Sequence, residues 1–488
     1  MKYLRSQLII TSLSLLITLI AAPLIAAAQN TMPPAQKDVT SVQGNWLGML
    51  EIGGAKLHLL LKVTKDQAGT LTAKLDSVDQ GAHDLKIDTI TQQGYSVRFE
   101  AKDLGLSYEG TLNESGTEIA GTLKPGAGVS LVFKRGEPAP VLIRPQDPKK
   151  PYPYDEEEVG YENKKDGVHL AGTLTLPRSQ GPHPAVLLIT GSGTQDRNET
   201  VAGHHPFLVL ADYLTRHGIA VLRVDDRGAG GSSRGALTAT SENFAGDVRA
   251  GVEYLKSRKE INAKQIGLAG HSEGGMIAPM VAASSSDVAF VVIMAGLGQS
   301  GGDIILKQNE LGLRANGASA DQISETLTAL KNIFAILKEE PDNAVARRRI
   351  EDALTRQATQ LNADQKLAFA PVAAKIKADL ESFLFPWTRF FIAYDPRPIL
   401  MRVKVPVLAI NGEFDQQVSS KENLELIRAA LKAGGNQDYT ILELSRLNHL
   451  LQTSQTGTLS EYEQIQETIA PVALDTIASW IVKHTTRP

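Results

Sequence analysis

A serine, a carboxylate and a histidine that follow one another along this chain could together hydrolyse an ester or amide. The serine is Ser272, within Gly270-His271-Ser272-Glu273-Gly274, which matches the G-x-S-x-G pattern of a nucleophile elbow. An elbow serine occupies a strained strand-to-helix turn, and the flanking positions are small because neighbouring backbones approach closely. An apolar run precedes the motif and a helical stretch, 276–283, follows it. Ser272 is therefore predicted to be a nucleophile, and the alternative is an ordinary serine in a tight turn.

The carboxylate of the triad is expected just after a late strand, because elbow hydrolases order their triad as serine, acid, histidine. Glu413 and Asp415 both follow the apolar run 405–411. Asp415 is preferred because it lies on the loop beyond Gly412, whereas Glu413 is expected to support that loop. The alternative for Asp415 is a helix N-cap or an exposed loop acid.

The base is predicted to be His449, which is the only histidine between Asp415 and the final predicted helix. An imidazole with a pKa near ~6.5 can take the serine proton and return it to the leaving group. The alternative is a histidine that only packs beside leucines. His484, near the C-terminus, is expected to be exposed.

An oxyanion hole is predicted from two backbone N–H groups. One belongs to Glu273, which follows the serine, and the other to Ser192 in the glycine-rich loop Thr190-Gly191-Ser192-Gly193. This chemistry requires neither a cofactor nor a metal. His204-His205 is not expected to bind a metal, because adjacent side chains project in different directions and no acidic pair stands beside them.

Composition narrows the class of protein. The 488 residues suggest two or three domains, and 50 basic against 54 acidic residues give a net charge of −4. No long basic block indicates a nucleic-acid surface. The chain has no cysteine, which excludes disulfides, a thiolate nucleophile and cysteine metal sites.

The N-terminus has the pattern of a signal peptide, residues 1–28. Lys2 and Arg5 precede an apolar stretch, 8–25, and Ala26-Ala27-Ala28 supplies the small residues of a cleavage site before Gln29. This predicts a secreted or periplasmic bacterial protein with no membrane span after cleavage. The alternative is an uncleaved membrane anchor.

The rest of the chain divides into two predicted folding regions. Short strands separated by turns predict an all-β domain over 39–136, a barrel or sandwich, and Gly44-Asn45-Trp46 resembles the opening of a lipocalin-like barrel. A linker rich in Pro, Lys and Asp is predicted over 137–157. From 158 to 488 strands alternate with helices, which predicts an α/β fold with a mostly parallel sheet, interrupted by a helical cap at about 297–390.

Several of these blocks together resemble the α/β-hydrolase superfamily. They are 185–193, the run Asp225-Asp226-Arg227-Gly228-Ala229-Gly230-Gly231-Ser232, the elbow, 412–415 and His449. More narrowly, the chain resembles secreted bacterial carboxylesterases and relatives of the serine aminopeptidases that carry a β-rich N-terminal domain. The resemblance implies hydrolysis of an ester or amide through an acyl-enzyme. Thr190-Gly191 replaces the His-Gly that many relatives have at the oxyanion loop.

Three functions remain open from the sequence. The preferred one is hydrolysis of a small-molecule carboxylic ester, with Trp387 and Phe390 as candidate walls of an apolar substrate pocket. The second is a peptidase or aminopeptidase with the same triad, for which Glu339-Glu340 could hold a charged amino terminus. The third is a ligand-binding protein with an inactive hydrolase domain. The oligomeric state is not readable from the sequence.

Overall fold

Strand-forming residues with alternating burial dominate the first part of the chain, as in Ser96–Ala101, where every second side chain is buried. The computed structural model describes residues 41–52, 55–66, 68–77, 82–102, 105–124, 129–136 and 144–486, and the predicted signal peptide lies outside them. The described residues form two compact units, the first made of those up to 136 together with 201–203 and the second of 144–200 and 204–486.

The first unit is an antiparallel sheet of nine strands in the described residues, in the order β4-β3-β2-β1-β9-β8-β7-β6-β5. The strands are β1 Gly44–Ile52, β2 Ala55–Lys65, β3 Leu71–Ser77, β4 Ala82–Lys86, β5 Thr89–Gln93, β6 Ser96–Ala101, β7 Leu106–Leu112, β8 Glu118–Lys124 and β9 Val129–Arg135. Buried side chains from these strands form one core, around which the sheet curls as a half-barrel. This confirms the all-β fold predicted for the N-terminal region.

Aromatic residues fill the core of the half-barrel. The Tyr108 ring stacks on Phe99 with centroids 5.1 Å apart and meets Phe133 edge-on at 5.3 Å. The Tyr108 hydroxyl lies 3.0 Å from the carbonyl oxygens of Ile119 and Leu131, so its polar atom is satisfied inside the core. The side chains of this unit therefore bury large apolar rings without leaving the phenol unpaired.

The second unit contains an eight-stranded sheet in the described residues, in the order β10-β11-β13-β12-β14-β15-β16-β17. The strands are β10 Asp155–Asn163, β11 Val168–Leu176, β12 His183–Ile189, β13 Ala220–Val224, β14 Ile261–His271, β15 Phe290–Met294, β16 Val407–Gly412 and β17 Tyr439–Leu444. Strand β11 pairs in antiparallel fashion with β10 on one side and with β13 on the other. The remaining pairings, from β13 along the sheet to β17, are parallel. Strand β10 begins within the segment predicted to be a linker.

Helices cover both faces of this sheet, because its central strands are apolar on both sides. One face packs against α2 Ser241–Lys256, α3 Glu273–Ala282 and α11 Ser420–Ala433. The other packs against α1 Pro206–Arg216 and α13 Pro471–Thr485, and a short α12 spans Leu459–Tyr462. This arrangement confirms the predicted α/β-hydrolase fold.

A helical insertion lies between β15 and β16, as predicted. Its helices are α4 Gly301–Ala315, α5 Ala320–Glu339, α6 Asn343–Gln360, α7 Ala363–Ala378, α8 Leu380–Phe383, α9 Pro386–Ala393 and α10 Arg397–Leu400. Side chains at Ser300, Ser319, Asp342 and Asn362 cap four of these helices by accepting from the backbone N–H three residues on. Among the described residues, every helix is too short or too polar to span a membrane.

Candidate active site

The elbow places Ser272 between the end of β14 and the start of α3. Its φ is 52° and its ψ is −113°, a backbone conformation that non-glycine residues rarely adopt. A Cβ on Gly270 would lie 2.0 Å from the carbonyl oxygen of Gly274, and one on Gly274 would lie 2.1 Å from that of Ile189. Both glycines are therefore required for strand and helix to approach closely enough to hold this turn.

Asp415 and His449 lie side by side on the loops after β16 and β17. The Nδ1 of His449 is 2.8 Å from Oδ2 of Asp415, and both side chains are buried. The other oxygen of Asp415 accepts hydrogen bonds from the backbone N–H groups of Gln417 and Val418, each at 2.8 Å. Because the carboxylate only accepts, it holds a proton on Nδ1 and leaves Nε2 of His449 as the basic atom.

The loop that carries His449 packs against the elbow. The ring centres of His449 and His271, the residue before Ser272, are 4.8 Å apart. Within the described part of the chain no hydrogen bond joins the Ser272 hydroxyl to His449. In unliganded enzymes such a bond is often long and tightens when substrate binds. The structure thus brings the three predicted residues to the carboxyl edge of the parallel strands, with one of their two mutual hydrogen bonds formed.

The two predicted oxyanion donors lie on adjacent segments. Glu273 is the first residue of α3, where a backbone N–H has no acceptor within the helix and the helix dipole favours negative charge. Ser192 lies on the loop after β12, and its side chain is near enough to the Glu273 carboxylate to lower the pKa of that group. The Ser192 loop and the elbow therefore lie next to each other.

Glu273 also contacts the helical insertion. Its carboxylate accepts hydrogen bonds from the Ser241 hydroxyl at 2.6 Å and from the Trp387 indole nitrogen at 2.8 Å. Burial raises the pKa of Glu273 above its ordinary value, and the three side-chain donors only partly offset that effect. Trp387, a predicted pocket residue, is thus buried against the residue next to the elbow serine and stacks on Phe391, 5.1 Å between centroids.

A cavity borders the oxyanion loop, and Glu273 and Gly191 line part of its wall. Apolar side chains of the sheet and of α2 line much of it, together with several carboxylates. Asp225 is paired with Arg197 and Asp247 with Arg227. Burial raises the pKa of Asp226, which accepts hydrogen bonds from Thr190 and from the backbone of Gln195. Asp226 and Glu273 have no basic partner among the described residues.

The other residues considered in the sequence analysis have partners outside the Asp415–His449 pair. Glu413 accepts hydrogen bonds from Ser445 and the Arg446 backbone and so supports the His449 loop. Phe390 packs against Tyr394, 5.5 Å between ring centres. His204 and His205 point to different partners, the Tyr462 carbonyl and Asp147 respectively.

Sequence reasoning did not identify Glu199, Ser241 or the role of His271 in this site. Glu199 accepts a hydrogen bond from the backbone N–H of Gly191 and contacts His271, both within the protein interior. A histidine placed directly before the elbow serine, on a buried strand, was the one available signal. No local pattern marks Glu199, which lies 72 residues from His271.

Comparison with known proteins gives the family of this chain. The family model of X-Pro dipeptidyl-peptidases (S15 family) matches residues 166–450, more than half of the chain. The chain belongs to the S15 family. The matched segment of this S15 member contains the elbow, Asp415 and His449. The protein is therefore a hydrolase of the α/β-hydrolase superfamily, as its motifs predicted.

A curated relative and several solved structures are similar to this S15 family member. Esterase EstD of Thermotoga maritima is 28% identical over 318 residues, which are 64% of this chain and 66% of EstD, so the chain spans just under two thirds of that relative. The Pyrococcus furiosus esterase Pf2001 is 15% identical with a TM-score of 0.40, covering 70% of this chain and 97% of its own. The α/β hydrolase GrgF from Penicillium sp. sh18 is 17% identical with a TM-score of 0.41, covering 68% and 100%.

Proposed function

We propose that this protein is a serine hydrolase that cleaves carboxylic esters of small molecules through an acyl-enzyme. The hydrogen bond of 2.8 Å between Asp415 and His449, on a loop packed against the elbow of Ser272, is the observation that carries the proposal. A relative named as an esterase, EstD, supports the ester as substrate. Ser272 is the nucleophile, His449 the base and acid, and Asp415 the residue that orients His449.

The steps follow from these roles. The Ser272 oxygen bonds to the ester carbonyl carbon while its proton passes to Nε2 of His449. The oxyanion accepts hydrogen bonds from the backbone N–H groups of Ser192 and Glu273, and one such donor contributes roughly 10²–10³ in turnover. The C–O bond to the alcohol breaks as His449 returns the proton to it. Water then attacks the acyl-enzyme by the same route and releases the acid.

A peptidase is the second candidate, because the family is described by X-Pro dipeptidyl-peptidases. Such an enzyme needs a carboxylate that binds the charged amino terminus of its peptide substrate. Glu339 and Glu340, the candidates from the sequence, both lie near Arg349, at 2.9 and 3.8 Å. Their charge is thus already partly compensated, which favours the ester over the peptide.

A labelling experiment tests the serine. Wild type, Ser272→Ala and Ser284→Ala are treated with a fluorophosphonate probe. Ser284 is the control because, among the described residues, its hydroxyl bonds only helix carbonyls. We expect labelling of wild type and S284A and none of S272A. An unlabelled, folded wild-type protein would support a ligand-binding role with an inactive hydrolase domain and refute the proposal.

A substrate panel separates the two hydrolytic functions. The panel contains p-nitrophenyl esters of graded chain length, aminoacyl p-nitroanilides and an X-Pro p-nitroanilide. We expect higher kcat/KM for the esters, and S272A should abolish turnover of every substrate. Faster cleavage of the X-Pro p-nitroanilide would make the protein a dipeptidyl-peptidase.

We also propose that residues 1–28 direct export and are removed before Gln29. The basic n-region, apolar core and alanine cleavage site support this proposal. Expression of the full chain in a bacterium, followed by N-terminal sequencing of the periplasmic fraction, tests it. A full-length chain retained in the membrane fraction would instead indicate an uncleaved anchor.

A further inference from the structure

Three segments of the candidate site meet at a buried pair, Glu199 and His271. Glu199 Oε1 accepts a hydrogen bond of 2.7 Å from the backbone N–H of Gly191, on the oxyanion loop. The same oxygen lies 2.9 Å from Nδ1 of His271. On the other side of the ring, Nε2 of His271 lies 2.9 Å from the backbone carbonyl oxygen of His449. The pair therefore connects the oxyanion loop, the elbow and the loop of the base.

The partners of His271 decide where its protons are. A carbonyl oxygen can only accept, so Nε2 must carry a proton to bond His449. Glu199 Oε1 already accepts from Gly191 and is a carboxylate oxygen, so Nδ1 bonds it through a second proton. A neutral imidazole with its proton on Nε2 makes both bonds only if Glu199 itself is protonated and donates to Nδ1. With Glu199 ionised, the full set requires an imidazolium.

The surroundings favour this charged pair. Glu199 and His271 are 2% and 7% exposed, so water does not screen their attraction. Burial, the largest single effect, works against the charged ring, but Glu199, the His449 carbonyl and Asp415 together outweigh it and raise the pKa of His271. The His449 ring, 4.8 Å away, also faces His271.

The chain holds Glu199 in an unfavourable backbone conformation to make these contacts. Its φ is 54°, in the left-handed region, and its backbone N–H bonds the Asp196 carbonyl at 2.9 Å. The Asp196 side chain accepts from the N–H groups of Asn198 and Thr200 and so fixes the turn. A Cβ on Gly191 would lie 3.3 Å from both Glu199 Oε1 and the Cβ of Ser272, so the amide approaches the pair closely. Strained residues of this kind persist where the surrounding structure determines them, often at functional sites.

We propose that Glu199 and His271 are positioning residues, which hold the oxyanion loop and the His449 backbone in place beside Ser272 through a proton shared in one buried pair. The inference rests on the proposed function, because it assigns the pair to the reaction of Ser272 and His449. Neither residue touches the reacting atoms. Displacement of a catalytic group by about 1 Å can lower a rate roughly 100-fold, so the pair controls kcat more than binding.

The shared proton makes this link sensitive to pH. Because the pKa of His271 is raised above 6.5, the pair is intact below that pH and loses its proton as the pH rises through the folded-state value. One of the two ring hydrogen bonds then breaks. Turnover should therefore fall as the pH rises through that value, through loss of kcat, with KM nearly constant.

Two variants and a matched control test the proposal. Glu199→Gln keeps the shape of the side chain but removes the negative charge that stabilises the imidazolium. His271→Gln cannot donate to both Glu199 and the His449 carbonyl, which lie on opposite sides of the ring. His169→Gln is the control, because His169 pairs with Glu162 at 2.7 Å in the same way but both side chains are exposed. For each protein, kcat and KM for a p-nitrophenyl ester are measured from pH 5 to 10, together with Tm.

We expect E199Q and H271Q to lower kcat roughly 10- to 100-fold with little change in KM, while H169Q behaves as wild type. In E199Q the decline of kcat with rising pH should begin at a lower pH, and in H271Q it should disappear. A lowered Tm with kcat and the pH profile unchanged would show a merely structural pair and overturn the proposal.

A measurement on wild-type protein keeps the test independent of how the variants fold. In the spectrum of ¹⁵N-histidine-labelled protein at pH 6, the signals absent from H271Q should show protons on both ring nitrogens. A singly protonated ring would overturn the proposal. A wild-type protein without ester turnover or fluorophosphonate labelling would refute the proposed function alone, since the ring protons are observed without turnover.

Discussion

The indole nitrogen of Trp387 donates a 2.8 Å hydrogen bond to the carboxylate of Glu273, the residue that follows the elbow serine. The two residues are 114 positions apart, and Trp387 belongs to the helical insertion. The insertion is therefore fixed directly to the segment that supplies an oxyanion donor. This contact motivates the first of four predictions.

Trp387→Phe should destabilise the protein by about 1–3 kcal/mol, because it removes a donor from a buried carboxylate and preserves an aromatic ring against Phe391. Urea denaturation measures the change. Trp480→Phe is the matched control, since its indole nitrogen donates to the neutral Thr440 hydroxyl at 3.1 Å and its loss should cost less. Equal losses in the two variants would contradict the importance of the Glu273 contact.

Asp415→Asn should lower kcat roughly 10³–10⁴-fold without unfolding the protein, because the amide no longer holds the proton on Nδ1 of His449. Glu413→Gln is the control, since Glu413 bonds Ser445 and Arg446 rather than His449. Steady-state kinetics on a p-nitrophenyl ester measures both. A severe loss in E413Q with little change in D415N would transfer the acid role to Glu413.

Gly270→Ala should prevent folding of the second unit, because its Cβ would lie 2.0 Å from the Gly274 carbonyl oxygen, a backbone atom that cannot move alone. The cost should exceed about 4 kcal/mol. Gly246→Ala is the control: it lies inside α2, its Cβ would meet only the Asn163 side chain at 3.1 Å, and alanine favours helix. Soluble yield and circular dichroism compare the two, and a well-folded G270A would contradict the geometry of the elbow.

Acid should destabilise the protein through His204. Burial lowers the pKa of His204 to about 4, and its ring is fully enclosed between Thr468 and the Tyr462 carbonyl. Because the pKa of His204 is lower in the folded than in the unfolded chain, the buried neutral ring contributes its full stabilisation above pH 6.5. This contribution is lost as the pH falls toward 4. The loss should reach roughly 3 kcal/mol.

The test of this prediction compares unfolding free energies at pH 7 and pH 4.5. His204→Gln should be less stable than wild type at neutral pH but should lose less stability on acidification. His217→Gln, at an exposed helix end, should keep the wild-type pH dependence. An identical pH dependence in H204Q and wild type would show that another group titrates.

Much of the fold could be predicted because its signals are local. Apolar runs that alternate with helical stretches predicted the α/β-hydrolase sheet, and short strands between turns predicted the antiparallel half-barrel. The boundaries were less accurate. Strand β10 begins at Asp155, within the predicted linker, since its charged side chains face solvent while its backbone pairs with β11.

The sequence by itself determined which residues could form the triad and in which order they follow the strands. Ser272 was identifiable because an elbow requires glycines at fixed short spacing, and His449 because few histidines follow Asp415. Only the tertiary structure decided what surrounds them. Glu199 reaches His271 and Trp387 reaches Glu273 because separate strands, loops and helices pack at one edge of the sheet. Contacts across 72 and 114 residues depend on that packing and leave no periodic or local pattern in the chain.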